Sequence, residues 1–151
     1  MKKIKSPKEL EDFRNFLIEQ RDPNKSCISM CGGTGCRAYD WDRLLESFKA
    51  EIKKQGLEGK VSLRITGCHG LCERGPLVVI HPQGIFYQRV KAFDVPEIIS
   101  STVLNNQVVE RLLYEDVSKR EKVVHESEVG FYKRQTVSYT HLRAHETRHD
   151  I

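Results

Sequence analysis

Five cysteines, Cys27, Cys31, Cys36, Cys68 and Cys72, carry most of the chemistry available to this 151-residue chain. They fall in two short stretches, SCISMCGGTGC and GCHGLC. Four residues separate Cys31 from Cys36, and three separate Cys68 from Cys72. An odd count of thiols, behind an N-terminus (MKKIKSPKELEDF) with no apolar secretory leader, argues against a disulfide framework. Three readings of the thiols compete. Four thiolates suit a [2Fe–2S] cluster. Structural zinc also takes four thiolates, but usually from C-x2-C spacings tighter than these. Dithiol redox chemistry of the usual kind needs C-x-x-C, which is absent. Spacing favours iron–sulfur, then zinc, then thiol redox or structural cysteines. Cys27, beside Ile28 and Met30, reads as a small core-facing hydrophobe rather than a substitute ligand.

Six of the ten glycines, Gly32, Gly33, Gly35, Gly67, Gly70 and Gly75, lie in the cysteine loops. Glycine lets backbone approach closely and turn amide N–H groups toward sulfur. An anionic cluster would gain from such donors, from a helix N-terminus after Cys36, and from Arg37 and Arg74. His69 beside Cys68 has the makings of a thiol–base pair. Its place between two candidate ligands reads better as a loop residue near the surface.

The elements that must position these residues follow from periodicity. Ser6-Pro7-Lys8-Glu9 starts a helix with a capping box, and Leu10, Phe13, Phe16 and Leu17 carry it to about Gln20. Asp22-Pro23-Asn24 is a turn, and Ser26 to Met30 a short strand. Trp41, Leu44, Leu45, Phe48 and Ile52 form one apolar stripe on a helix from about Ala38 to Gln55. Val61, Leu63 and Ile65 alternate with Ser62, Arg64 and Thr66 as a strand. Leu77 to Ile80 is an apolar run suited to a strand covered on both faces, and Pro82-Gln83-Gly84 turns it into IFYQRV. Asp94 caps a last helix carrying Val95, Ile98 and Ile99. Val108 to Tyr114 is of undecided type, and Glu115 to Gly130 reads as a charged linker. The order is that of one α/β domain. The 31 residues between Cys36 and Cys68 hold one crossover helix, which makes the two flanking strands parallel neighbours. Both cysteine loops then leave the same edge of the sheet.

Composition bounds the partners. Lys+Arg 25 against Asp+Glu 21 gives +4, and the signs are interleaved along the chain. That pattern serves solubility and is no nucleic-acid footprint. No apolar run approaches the ~18 residues of a membrane span. Residues Val137 to Thr147 (VSYTHLRAHET) resemble a translated sequencing adapter. His141, His145 and His149, spaced like ligands on one helix face, belong to that tail of 137–151 and are set aside. The natural chain is expected to continue past Thr136 with other residues.

CGGTGC together with GCHGLCERGPLVVIHPQGIFYQRV resembles the thioredoxin-like [2Fe–2S] ferredoxin domain, over roughly Ser26 to Leu113. The specific features are the C-x4-C then C-x3-C order and the Gly-Pro, apolar strand, Pro-x-Gly hairpin after the second pair. The resemblance implies a thioredoxin-like α/β fold with a short mixed sheet flanked by helices. It implies a [2Fe–2S] cluster on Cys31, Cys36, Cys68 and Cys72, and electron transfer rather than bond chemistry on a substrate. Such domains occur alone, or fused to the N-terminus of the flavoprotein subunit of NADH dehydrogenases and NAD(P)-dependent hydrogenases. VHESEVGFYKRQT (124–136) is similar to the lead-in of that flavoprotein part. The expected organisation is therefore a ferredoxin domain at 1–114, a linker and the start of a flavoprotein domain at 115–136, and the tail at 137–151. FMN, NAD and further iron–sulfur clusters would belong to a missing part. The implied partners are a flavoprotein domain or subunit and other iron–sulfur subunits. The implied location is the cytoplasm, at the inner face of a membrane through those subunits.

Overall fold

A computed structural model describes residues 3–19, 22, 25–116 and 121–133. The tail at 137–151, Pro23 and Asn24 of the expected turn, and residues 134–136 lie outside the described residues. Within them the chain forms α1 (Pro7–Glu19), β1 (Cys27–Cys31), α2 (Thr34–Arg37), α3 (Trp41–Lys54), β2 (Ser62–Thr66), β3 (Val78–His81) and β4 (Ile85–Tyr87). These are followed by α4 (Val95–Glu97), which runs on as a π-helix over Ile98–Leu104, and by β5 (Tyr114–Asp116), β6 (Glu121–Val123) and α5 (Gly130–Lys133).

The central sheet has the order β2-β1-β3-β4. β1 and β2 are parallel, with Cys27 opposite Ser62 and Cys31 opposite Thr66, as the crossover length requires. β3 runs antiparallel to both β1 and β4. Ile28, Met30, Val78, Val79 and Ile80 are all buried, so the two central strands are covered on both faces. One cover is α3, which buries Trp41, Leu44, Phe48 and Ile52. The edge strand β2 departs from its expected alternation. Val61 is buried but Ile65 is exposed, because β2 is an edge strand with a neighbour on one side only.

Tyr87 ties the sheet to the chain beyond the last long helix. The Val109 amide donates to the Tyr87 hydroxyl at 2.9 Å. That hydroxyl lies 2.7 Å from Thr102 Oγ1, which donates to the Gln107 carbonyl at 2.9 Å. Tyr87 is fully buried. Tyr87→Phe leaves the Val109 N–H unpaired in the interior, so it is expected to cost about 1–3 kcal/mol in thermal or urea unfolding. A loss below the error of the measurement would show the relay to be dispensable.

Four expectations need correction. Glu9 does accept a backbone bond, but from Lys5 at 2.7 Å rather than from the Ser6 amide; Ser6 Oγ accepts from Glu9 N at 3.2 Å as expected. No residue of α1 is buried, and Leu10, Phe13, Phe16 and Leu17 of its apolar stripe are exposed. Asp94 does not cap the helix that follows. Its buried carboxylate accepts from the Lys91 amide at 2.8 Å and from Arg111 Nη1 at 2.6 Å, and Arg111 also pairs with Glu97. The fourth concerns residues 115–130, read as a linker. β5 and β6 form a ribbon, the Phe86 amide donates to the Val124 carbonyl at 2.9 Å, and Val129 is fully buried. Among its described residues Glu115, Glu121, Lys122 and Glu128 are exposed, while Glu126 turns inward to His69. Widely spaced apolar residues anchor its inner face.

A candidate iron–sulfur site at the rim of the sheet

Cys31 is the last residue of β1, and Cys68 lies two residues past the end of β2. The parallel pairing therefore delivers both loops to one rim. The Gly32 amide donates to the Thr66 carbonyl at 2.9 Å and stitches the two loop bases together. The loop after β1 turns at once into α2, which carries Cys36 on its inner side. The helix expected from about Ala38 is preceded by this short one, so Cys36 lies inside a helix rather than ahead of a helix N-terminus. The long one starts at Trp41, behind Asp40 in the left-handed conformation (φ 55). Trp41 Nε1 donates to the Cys31 carbonyl at 2.8 Å, which fixes the start of α3 against the end of β1. Cys72 opens a 3₁₀ turn, Cys72–Arg74, and Gly75-Pro76 then leads into β3.

The four thiols meet. Cys68 Sγ lies 3.6 Å from Cys72 Sγ. The Cys31–Cys36 loop lies against that pair: a Cβ on Gly33 would meet Cys68, and one on Gly35 would meet Cys72. Cys31 and Cys36 are buried, and Cys68 and Cys72 are exposed. Two thiolates on one tetrahedral metal, each at about 2.3 Å, stand about 3.8 Å apart, so the Cys68–Cys72 separation suits a shared ion. Among the described residues no three His, Cys, Asp or Glu side chains surround a single ion position. The thiols instead form a buried pair and an exposed pair in contact.

The protonation pattern follows the same division. Burial, then the neighbouring Cys31 thiol, pushes the Cys36 thiol up to about 12. The Gly70 amide, 3.3 Å from Cys68 Sγ, and the Cys72 thiol hold Cys68 below its ordinary value. Cys72, paired with Cys68, is raised by that neighbour. Cys68 therefore ionises more readily than an ordinary thiol, and any metal that binds all four must displace the protons that remain.

Glycine makes room for this assembly. A Cβ at Gly33 would stand 3.2 Å from Cys68 Sγ, one at Gly35 would stand 2.8 Å from Cys72 Cβ, and one at Gly75 would stand 2.8 Å from Cys36 Sγ. Gly33, Gly35 and Gly75 therefore line the sulfurs on three sides with bare backbone. An all-thiol donor set, an amide aimed at sulfur and a cradle that side chains would fill are what a [2Fe–2S] cluster needs, so the residues present fit that group.

Other expectations sort as follows. Cys27 sits at the far end of β1, about 13 Å from Cys31 at the usual rise per strand residue, and is half-buried near Ser29. It is not part of the thiol cluster. The Arg37 guanidinium lies over the Trp41 ring at 4.9 Å and that of Arg74 over Tyr114 at 5.9 Å. His69 is mostly covered, contrary to its reading as a surface loop residue. Its Nε2 lies 2.9 Å from Thr66 Oγ1 and its Nδ1 3.3 Å from Glu126 Oε1, while its carbonyl accepts from Tyr132 Oη at 3.0 Å. Sequence reasoning missed this cluster. Nothing in the spacing of Glu126 or Tyr132 signals a contact 57 or 63 positions away.

Four thiols at one rim of a short mixed sheet flanked by helices make a donor set that suits an iron–sulfur protein of the ferredoxin class. Comparison with known proteins agrees. Residues 12–103 match the family described as thioredoxin-like [2Fe–2S] ferredoxin. The chain belongs to that family. It is 39% identical over 77 residues to a 2Fe–2S ferredoxin of Clostridium pasteurianum, covering 51% of this chain and 76% of that protein. It is 44% identical over 48 residues to a 2Fe–2S ferredoxin of Aquifex aeolicus, covering 32% of this chain and 43% of that one. Among solved structures, the wild-type Aquifex aeolicus thioredoxin-like [2Fe–2S] ferredoxin superposes with a TM-score of 0.54 at 27% identity, over 60% of this chain and 97% of that chain. A Cys→Ser variant of the same ferredoxin gives 0.55 at 25% identity, over 60% and 99%.

Proposed function

We propose that the chain is a one-electron carrier whose cluster is held by Cys31, Cys36, Cys68 and Cys72. Membership of the ferredoxin family supports electron transfer. The observation that carries the ligand assignment is the convergence of the two cysteine loops at one rim of the sheet, with Cys68 against Cys72, Gly33 and Gly35 against that pair, and Gly75 against Cys36. When bound, the cluster supplies a reversible one-electron couple. The protein's own part is to position and to tune. α2 and the 3₁₀ turn present the sulfurs, the Gly70 amide stabilises negative charge on Cys68, and burial of Cys31 and Cys36 screens one side from water. The exposed pair, Cys68 and Cys72, faces outward, which is the side a redox partner must approach.

The wider setting we propose is the N-terminal part of an NADH dehydrogenase or NAD(P)-dependent hydrogenase flavoprotein subunit. FMN, NAD and further clusters would then sit on the portion beyond Thr136, and the partners would be flavoprotein and iron–sulfur subunits at the cytoplasmic face of a membrane. The similarity of 124–136 to a flavoprotein lead-in supports this. A stand-alone carrier is the second reading, favoured by relatives that are themselves named ferredoxins. The coding sequence past Thr136 separates them: glycine-rich nucleotide-binding segments support the fused form, and a prompt stop contradicts it.

The carrier itself is tested by redox titration of protein purified without oxygen. A brown protein that takes up one electron reversibly, and gives a paramagnetic signal only when reduced, is the expected result. Prolonged chelation with a reductant should bleach it. A colourless protein with no couple would contradict the proposal and favour a zinc-stabilised binding module.

A further inference from the structure

Cys68 and Cys72 ride on a loop that the sheet reaches through one side chain, Thr66 Oγ1 at the end of β2, 2.9 Å from His69 Nε2. Among the described residues, no backbone bond between residues 67–71 and the sheet is made; the loop's own bonds are Gly70 N to Cys68 Sγ and Arg74 N to the Leu71 carbonyl. A segment far along the chain holds it as well. Tyr132 Oη donates to the His69 carbonyl, and Glu126 and Thr66 bracket the His69 ring from its two nitrogens. The Phe131 ring lies flush on Gly70, so close that a Cβ there would stand 2.9 Å from it. Burial, with the Glu126 carboxylate nearby, keeps the Tyr132 hydroxyl protonated and therefore a donor.

The holding segment is itself anchored. The Glu126 amide donates to the Gly84 carbonyl at 2.8 Å, His125 Nδ1 lies 2.9 Å from the Gln83 carbonyl, and Val129 is fully buried. The Tyr132 ring stands edge-on to Phe86 in β4. Residues 124–133 thus form a strap from the β3–β4 hairpin across to the cysteine loop. The strap lies beyond residues 12–103 that match the family.

We infer that Glu126, Phe131 and Tyr132 are positioning residues for the ligand pair Cys68 and Cys72, acting through His69 and Gly70. This rests on the ligand assignment above. Fixing the exposed pair matters because it is the half of the site open to water. A loop free to swing would release its metal and would vary the amide–sulfur contact that tunes the couple. Outer-shell partners of this kind typically change metal retention by roughly 10- to 100-fold when removed.

The test compares the unaltered protein with Tyr132→Phe, Phe131→Ala and Phe131→Tyr. Tyr132→Phe keeps the ring on Phe86 and loses only the hydroxyl, so the strap should still fold. Two readouts are taken. Hydrogen exchange of the amides at 69–72 is followed with and without the cluster, and the rate at which a chelator bleaches the visible absorption is followed in the loaded protein. The expected result is roughly tenfold faster exchange, confined to 69–72, and roughly tenfold faster bleaching in Tyr132→Phe and Phe131→Ala. Phe131→Tyr, which keeps a ring over Gly70, should match the unaltered protein. Unchanged exchange at 69–72 in both Tyr132→Phe and Phe131→Ala would overturn the inference. So would acceleration spread equally over the sheet amides, the mark of a merely structural role. A protein that never takes up a cluster would contradict the ligand assignment, and exchange in the cluster-free protein would still decide the strap.

Discussion

Alanine at Cys31, Cys36, Cys68 or Cys72, one at a time, is expected to leave the protein with almost no iron or sulfide, whereas Cys27→Ala keeps both. The prediction follows from where the sulfurs sit. Cys68 lies against Cys72, and Gly33, Gly35 and Gly75 bring the loop of Cys31 and Cys36 up to that pair, so the four thiols share one rim. Alanine removes a ligand and supplies no donor, and water cannot readily replace a thiolate beside buried Cys31 and Cys36. Cys27 faces Ser29 at the opposite end of β1 and is too remote to substitute. Its change to alanine costs only packing. Metal analysis and visible spectra of the five variants, purified without oxygen, check this. Loss of the cluster in Cys27→Ala with retention in Cys31→Ala would invert the assignment.

Gly35→Ala is expected to lower cluster content at least tenfold, while Gly67→Ala leaves it near that of the unaltered protein. Intrinsic preference points the other way, because alanine in a helix is favoured over glycine by about 1 kcal/mol and Gly35 lies in α2. Crowding decides the sign. The new methyl would stand 2.8 Å from Cys72 Cβ and 3.1 Å from its sulfur, so Cys72 must move off the site. Gly67 has open space where its methyl would go and belongs to the same pair of loops, which makes it the matched control. Equal cluster content in the two variants would show that the cradle is not needed.

Much of this was legible in the sequence, for physical reasons. The 31-residue crossover fixed β1 and β2 as parallel neighbours, and that alone brought Cys31 and Cys68 to one rim. The apolar run before His81 marked the doubly covered β3, and the stripe from Trp41 to Ile52 marked α3. What escaped is long-range and polar. The break between α2 and α3 depends on Asp40 adopting φ 55, which no periodicity reports. Asp94 has the residue type of a helix cap, yet Arg111 draws its carboxylate elsewhere. The strap escaped for a related reason. Its anchors, Val124, Val129 and Tyr132, are too widely spaced to show a helix or strand period, and its charges suggested solvent on all sides. The partner of His69 could be found only once residues 66, 126 and 132 were seen side by side.

The most direct test of the central claim is the ratio of iron to acid-labile sulfide per chain in protein purified without oxygen. The account predicts two of each, with little zinc. One zinc per chain, no sulfide and no colour would contradict it.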